Sequence, residues 1–233
     1  MSPTNYFIEG TSYNTLWAYR LDRIENGYPV IKDEDGNDMI TFDANGNPTI
    51  NTKTMYGVDA LVNMGTLTPK YNGSLSLNLR WKDLELNTMF VFAGGNKLRL
   101  DALDMSSYEM ISDVMNSRWT AQDGAGKVRA FADIPNDLQT YASTLSAWWR
   151  YSDANVKSAD YIKMRSLNLA YHLPETFCKK LHIGATRFTF QVNNLFTWCA
   201  AGHDIDPESY SPNSATRTLP QPTTYALGIS TSF

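Results

Sequence analysis

The chain has 233 residues, enough for one large or two small domains, and 42% of them are hydrophobic, enough to bury a sizeable surface. Its 24 acidic and 20 basic residues give a formal charge of −4, so there is no broad basic footprint and nucleic acid is excluded as the expected partner. No stretch approaches the roughly 18 to 20 apolar residues of a spanning helix, which excludes a helical membrane protein but not a barrel, whose strands alternate lipid-facing and lumen-facing residues.

The N-terminus, MSPTNYFIEG, carries neither a basic nor an apolar leader segment. Period-two alternation then recurs in six places. Tyr13, Thr15, Trp17, Tyr19 and Leu21 form the first run. Residues 24–71 follow as a long link, in which Asp35-Gly36 and Asn45-Gly46 are turn signals that predict a small projecting hairpin. Leu75, Leu77, Leu79 and Trp81 form the second run; after only Lys82 and Asp83, Leu84, Leu86, Thr88, Phe90 and Phe92 form the third, so the two read as a tight hairpin. In the link 94–159, Ser106 and Glu109 make a capping-box pattern ahead of Ile111, Val114, Met115 and Trp119, which predicts a short helix, and residues 136–150 carry a second helical signal.

The fourth run changes phase. Ile162 and Met164 are even, Leu167, Leu169 and Tyr171 odd, and one extra residue near Ser166, a β-bulge, reconciles them. Phe188, Phe190, Val192, Phe196 and Trp198 mark the fifth run, and Tyr225, Leu227, Ile229 and Phe233 the sixth, with small residues on the opposite parity. Long and short links alternate, so the long ones all emerge at one end of the sheet, as in outer-membrane barrels. The expected fold is an all-β, antiparallel up-and-down transmembrane β-barrel segment of about six strands, with long loops holding a small hairpin and a short helix.

Candidate chemistry is sparse. The DEDGND stretch at 33–38 has its glycine in the fourth position and Ala44 in the twelfth, which departs from a calcium loop and reads as an acidic turn. His203, Asp204, Asp206 and Glu208 cluster on one loop, where they would contact a ligand, hold a hard cation or simply face solvent. Trp119, Trp148 and Trp149 lie in the longest link; they would serve either as a platform for a sugar or partner, or as that segment's own core. The motifs of hydrolases, P-loop and dinucleotide enzymes are missing, so no enzyme activity and no cofactor are expected. Cys178 and Cys199 fall beyond opposite ends of the fifth run and are not expected to pair.

These runs carry a resemblance. Tyr161 to Pro174, Lys179 to Gly184, Phe188 to Trp198, the Asp206 to Glu208 "DPE" loop and Pro220 to Phe233 resemble, in order, the C-terminal part of the SusC/RagA-type TonB-dependent outer-membrane transporters. LTPKYNGSLSLNLRWKDLEL at 67–86 and MNSRWT at 115–120 also look like family segments. The resemblance implies a barrel of about 22 strands around an N-terminal plug. It would import oligosaccharides or peptides with energy delivered by the TonB complex and be capped by a SusD-like surface lipoprotein. The expected location is the outer membrane of a Gram-negative bacterium, in contact with its lipid. Residues 1–233 are then expected to be one incomplete C-terminal barrel portion, with plug and earlier strands absent. Tyr225, Leu227, Ile229 and Phe233 resemble the signal read by the barrel-assembly machinery, with Phe233 expected as a genuine terminus. Trp119, Trp148, Trp149, His203 and Asp206 are candidate contacts for ligand or lipoprotein. The alternatives are a secreted soluble β-sandwich that binds carbohydrate and a complete small barrel with two further strands.

Overall fold

The computed structural model describes residues 3–51, 60–107, 118–120 and 122–232. Its strands are β1 (Thr15–Tyr19), β2 (Leu21–Glu25), β3 (Tyr28–Ile31), β4 (Ile40–Phe42), β5 (Pro48–Ile50), β6 (Leu61–Thr66), β7 (Tyr71–Trp81), β8 (Leu84–Gly94), β9 (Lys97–Arg99), β10 (Val156–Ser158), β11 (Tyr161–His172), β12 (Thr186–Cys199) and β13 (Thr224–Thr231). Helices α1 (Ala142–Arg150) and α2 (Glu175–Leu181) complete the described elements longer than one 3-10 turn. The chain divides into two compact units. The first comprises residues 1–67, 97–157 and 212–216, the second residues 68–96, 158–211 and 217–233.

The first unit is organised around a conventional buried core. Tyr28, Val30, Ile31, Met39, Ile40, Leu145 and Trp148 are all at most 1% exposed and form one cluster with Met105, Val128 and Ile134. Helix α1 contributes because Ala142, Leu145, Ser146 and Trp148 fall on its inward side. The two turn signals behave alike. Asp33 and Asp43 each accept the backbone N–H of the residue four positions on, at 2.8 Å, and Gly36 and Gly46 take φ of 83° and 80°, a region open to glycine. The acidic stretch at 33–38 is thus a turn whose carboxylate serves its own backbone. The second turn closes the hairpin β4–β5.

One expected strand does not belong with the others. β1 pairs antiparallel with β6, not with the long strands. The reason is legible in burial: Leu16, Trp17, Ala18 and Tyr19 are all at most 6% exposed, so both faces of β1 are covered. Leu16 and Ala18, on the parity expected to be polar, are themselves apolar, as a strand buried on both faces requires. Of the helix expected over Ile111, Val114, Met115 and Trp119, the first three residues lie outside the described residues, and Trp119 lies in no helix.

Asp104 ties the first unit together. Its carboxylate accepts from the Ser106 amide at 2.9 Å and hydroxyl at 2.6 Å, from the Ser146 hydroxyl at 2.7 Å and from Arg150 Nη1 at 2.9 Å. Partial burial pushes its pKa up, but the bonds from Ser106 and Ser146 and the Arg150 charge together hold it below the usual carboxylate value. Asp38 is held low by the Lys32 ammonium and then by Arg23, each at 2.9 Å. The unfolded chain therefore takes up protons at Asp104 and Asp38 before the folded one does. Their contribution to stability is full above about pH 4 and drains away as the pH falls below it. Thermal unfolding followed between pH 6 and 2 is expected to show Tm falling below about pH 4, with a shallower fall in Asp104→Asn; identical pH profiles would refute the assignment.

The second unit is one five-stranded antiparallel sheet in the order β13-β12-β11-β8-β7. Leu84 pairs with both Trp81 and Tyr171, Tyr171 with Phe188, and Phe188 with Ile229, so these residues form one row at the end where the short connections lie. The β7–β8 connection is Lys82-Asp83 alone, and Lys82 takes φ 54°. The β11–β12 connection holds α2, which opens after Pro174 and ends at His182 in the left-handed conformation. Long connections, 95–160 and 200–223, leave the opposite end. The pairing of β11 shifts between Met164 and Ser166 against both neighbours: Arg165 is the extra residue of a bulge opposite β8, whereas on the other side Asn194 and Leu195 of β12 stand against Arg165 alone. Opposite it, Asn194 adopts φ 54°, a conformation that asparagine tolerates better than most residues. Among the described residues the sheet does not close into a barrel: β7 and β13 are its edges.

Candidate functional site

Register places the described bulky residues of the second to sixth alternating runs on one face of this sheet. Leu75, Leu77, Leu79 and Trp81 of β7 oppose Phe90, Thr88, Leu86 and Leu84 of β8. Those oppose Met164, Leu167, Leu169 and Tyr171 of β11, which continue into Phe196, Val192, Phe190 and Phe188 of β12 and then Tyr225, Leu227 and Ile229 of β13. The bulge at Arg165 is what keeps the two halves of β11 on this face, since a one-residue slip reverses every side chain. Leu75 is 63% exposed, Trp81 70%, Leu227 86% and Ile229 72%. Five strands at ~4.8 Å and about ten residues at ~3.3 Å make this face on the order of 700 Å², above the few hundred Å² usual for the largest apolar patch on a soluble monomer.

The other face is the reverse in chemistry. It carries Ser74, Ser76 and Asn78, then Glu85 and Asn87, then Ser166, Asn168 and His172, then Thr189, Gln191 and Asn193, and finally Ala226, Gly228 and Ser230. Its most buried long side chain is a lysine: Lys163 is 1% exposed. The Lys163 ammonium donates to Asp206 Oδ2 at 2.8 Å and Glu208 Oε2 at 3.1 Å, and Arg165, displaced by the bulge, pairs with the other oxygen of Glu208. Asp206 also accepts the Glu208 amide at 3.1 Å, which caps the turn Pro207–Ser209. The loop 200–222 is thereby clasped to β11.

The carboxylates of the acidic loop are paired with the chain's own ammonium and guanidinium groups. His203 is exposed on the same loop. Asp204 pairs with Arg217 at 2.8 Å, and that hydrogen bond holds its carboxyl below the usual range. A cavity of ≈ 350 Å³ beside the clasp is lined by Asp204, Ser209, Tyr210, Arg217 and Thr218.

The tryptophans separate. Trp119 lies under the Arg129 guanidinium, 3.9 Å from the ring centroid, and Arg129 also stands 5.0 Å over Tyr28. A Cβ on Gly124 would fall 2.2 Å from the Trp119 indole nitrogen, so that turn is built against the ring. Trp148 is fully buried in the first unit's core. Trp149 is half-buried and borders a cavity of ≈ 300 Å³ with Asp101, Lys127 and Asn155. Trp119 and Trp148 are thus engaged in packing, and Trp149 packs against the same core with part of its surface on that cavity. Tyr225, Leu227 and Ile229 are exposed on the apolar face of β13, and Phe233 lies outside the described residues. Cys178 and Cys199 are both buried and free. No described helix is long and apolar enough to cross a membrane.

No protein-family model matches the chain. It is 23% identical over 202 residues to the TonB-dependent receptor P3 of Formosa agariphila, a match covering 84% of this chain and 18% of that protein. Among solved structures, the RagAB peptide importer in its open-open state superposes with a TM-score of 0.62 at 18% identity, over 98% of this chain and 24% of that one. The closed-closed state gives 0.63 at 20% identity, over 98% and 25%. The chain is therefore similar in sequence to a TonB-dependent receptor and in fold to the RagAB importer, and it spans about a quarter or less of the proteins it matches.

Proposed function

We propose that this chain forms the C-terminal part of the barrel of a SusC-like, TonB-dependent importer in the outer membrane of a Gram-negative bacterium. Its cargo would be oligosaccharides or peptides. The observation that carries this reading is the inverted burial of the five-stranded sheet, whose apolar face is exposed while its opposite face buries Lys163. In a bilayer the first face would meet acyl chains and the second the lumen. Strands of 11, 11, 12 and 14 residues in β7, β8, β11 and β12 suffice to cross, since tilted strands need about 9 to 11. The edges β7 and β13 would pair with strands of the same barrel, because lipid does not tolerate open edges.

The remaining roles follow from the same reading. Residues 1–233 act as one barrel portion, energy arrives from the TonB complex through a plug elsewhere in the transporter, and a SusD-like lipoprotein meets the long connections. Of the candidate contacts, His203 is exposed and Trp149, packed on the core, is partly so, while Asp206 acts by holding its loop. Tyr225, Leu227, Ile229 and Phe233 serve the barrel-assembly machinery. No catalytic step is proposed.

Fractionation of cells expressing the natural gene tests this. Recovery in the outer membrane as a heat-modifiable species, with loss of oligosaccharide or peptide uptake on deletion, is the expected result. A monodisperse monomer in detergent-free buffer with ordered β structure would overturn it and favour a soluble carbohydrate-binding sandwich.

A further inference from the structure

The short-connection end of the sheet carries two features that an importer wall does not require. Trp81, at the β7–β8 turn, is 70% exposed, and the Lys82 ammonium stands 5.2 Å from its ring centroid. Phe177, on α2, is 57% exposed, and the Lys180 ammonium stands 5.9 Å from its ring. Leu181, one helical turn after Phe177, is 61% exposed and shares its side of the helix. Cys178 is buried, with its thiol donating to the Leu173 carbonyl at 3.6 Å, which settles which side of α2 faces the protein. Seven residues are too few to hold a helix in water without such docking. An apolar side with lysines beside it is therefore displayed on purpose-built geometry.

We infer that α2 is an interfacial helix: Phe177 and Leu181 insert at the boundary between acyl chains and phospholipid headgroups, and Lys180, with Lys82 on the neighbouring turn, contacts lipid phosphate. Two observations select lipid as the occupant. The first is continuity, since α2 begins just beyond the row Trp81, Tyr171, Phe188 and Ile229 that ends the apolar face. The second is chemistry. Both short connections pair an exposed aromatic ring with a lysine, an arrangement in which the stem of the lysine lies along apolar surface and its charge reaches the headgroup layer. Such a helix would fix how deeply this end of the wall sits in the membrane.

This inference rests on the membrane reading above, and its test separates the two. Cysteines for nitroxide or fluorophore labels are introduced singly by Phe177→Cys, Leu181→Cys, Glu175→Cys and Leu227→Cys in the full-length transporter, with Cys178→Ala and Cys199→Ala, reconstituted in phospholipid vesicles. Quenching by a lipid-borne agent relative to a water-soluble one is expected to be several-fold higher at 177 and 181 than at 175, and highest at 227. Lipid access at 227 with water access at 177 and 181 would overturn the helix assignment alone. Shielding of 177 and 181 from both agents would place protein against α2 and also overturn it. Water access at 227 would overturn the membrane reading itself. Helix α2 is checked independently by Phe177→Ser with Leu181→Ser: a fold-intact barrel whose label at 175 keeps its depth would likewise count against an anchoring role.

Discussion

Lys163→Met is expected to destabilise the sheet by about 3 kcal/mol, the lower end of the ~3–5 kcal/mol seen when one partner of a buried ion pair is removed. Lys163 is 1% exposed and bonds both Asp206 and Glu208, whose side chains are 12% and 27% exposed. Losing the ammonium strands Asp206 in particular, because Glu208 keeps Arg165. The lower figure is chosen for that reason. Combining Lys163→Met with Asp206→Asn and Glu208→Gln removes the uncompensated charges, so most of the loss is expected to return. Denaturant unfolding of the membrane-inserted protein reads both variants, and limited proteolysis between residues 200 and 222 reads release of the loop. Equal losses in the single and triple variants would show that the clasp does not act through charge.

Leu227→Arg is expected to cost about 2–4 kcal/mol in a bilayer, where an arginine at the midplane of a barrel's lipid face is penalised by that amount. In water the same substitution at a residue 86% exposed belongs with ordinary surface changes, within about 0.5 kcal/mol. The environment alone decides which outcome appears, since Leu227 faces outward and no described contact is lost. Gly228, its neighbour on the opposite face, supplies a contrast. A Cβ there would stand 2.6 Å from the Thr189 hydroxyl, so Gly228→Ala is limited by packing rather than by solvent. Comparing folding equilibria of Leu227→Arg in vesicles and in detergent-free buffer gives the measurement, and indifference to the environment would defeat the membrane reading.

Five of the six alternating runs were legible as partners in one sheet because each keeps a period of two with bulky residues on one side, the fourth after a single change of phase. The first run was not. Its second parity holds Leu16 and Ala18, so the alternation of Tyr13 to Leu21 is one of size rather than polarity, as in a strand covered on both faces. The bulge was legible as a phase change near Ser166 and lies at Arg165. Helix α2 leaves no periodic signal in the sequence, because seven residues after a proline span too few turns to show one. The tryptophans of the longest link left open whether they formed a platform or a core; burial distinguishes Trp148 from Trp149, although the two are adjacent in sequence.

What the sequence determined by itself was therefore local and periodic: strand parity, hairpin turns at Lys82-Asp83 and Asn45-Gly46, the unequal connections, and the likeness to transporter wall segments. Tertiary structure alone decided who meets whom. Lys163 and Asp206 are separated by more than forty positions, and nothing in either neighbourhood announces that the acidic loop folds back to close on a lysine. Period and propensity are set by neighbours along the chain, whereas charge pairing is set by neighbours in space, which only the folded sheet brings within 3 Å.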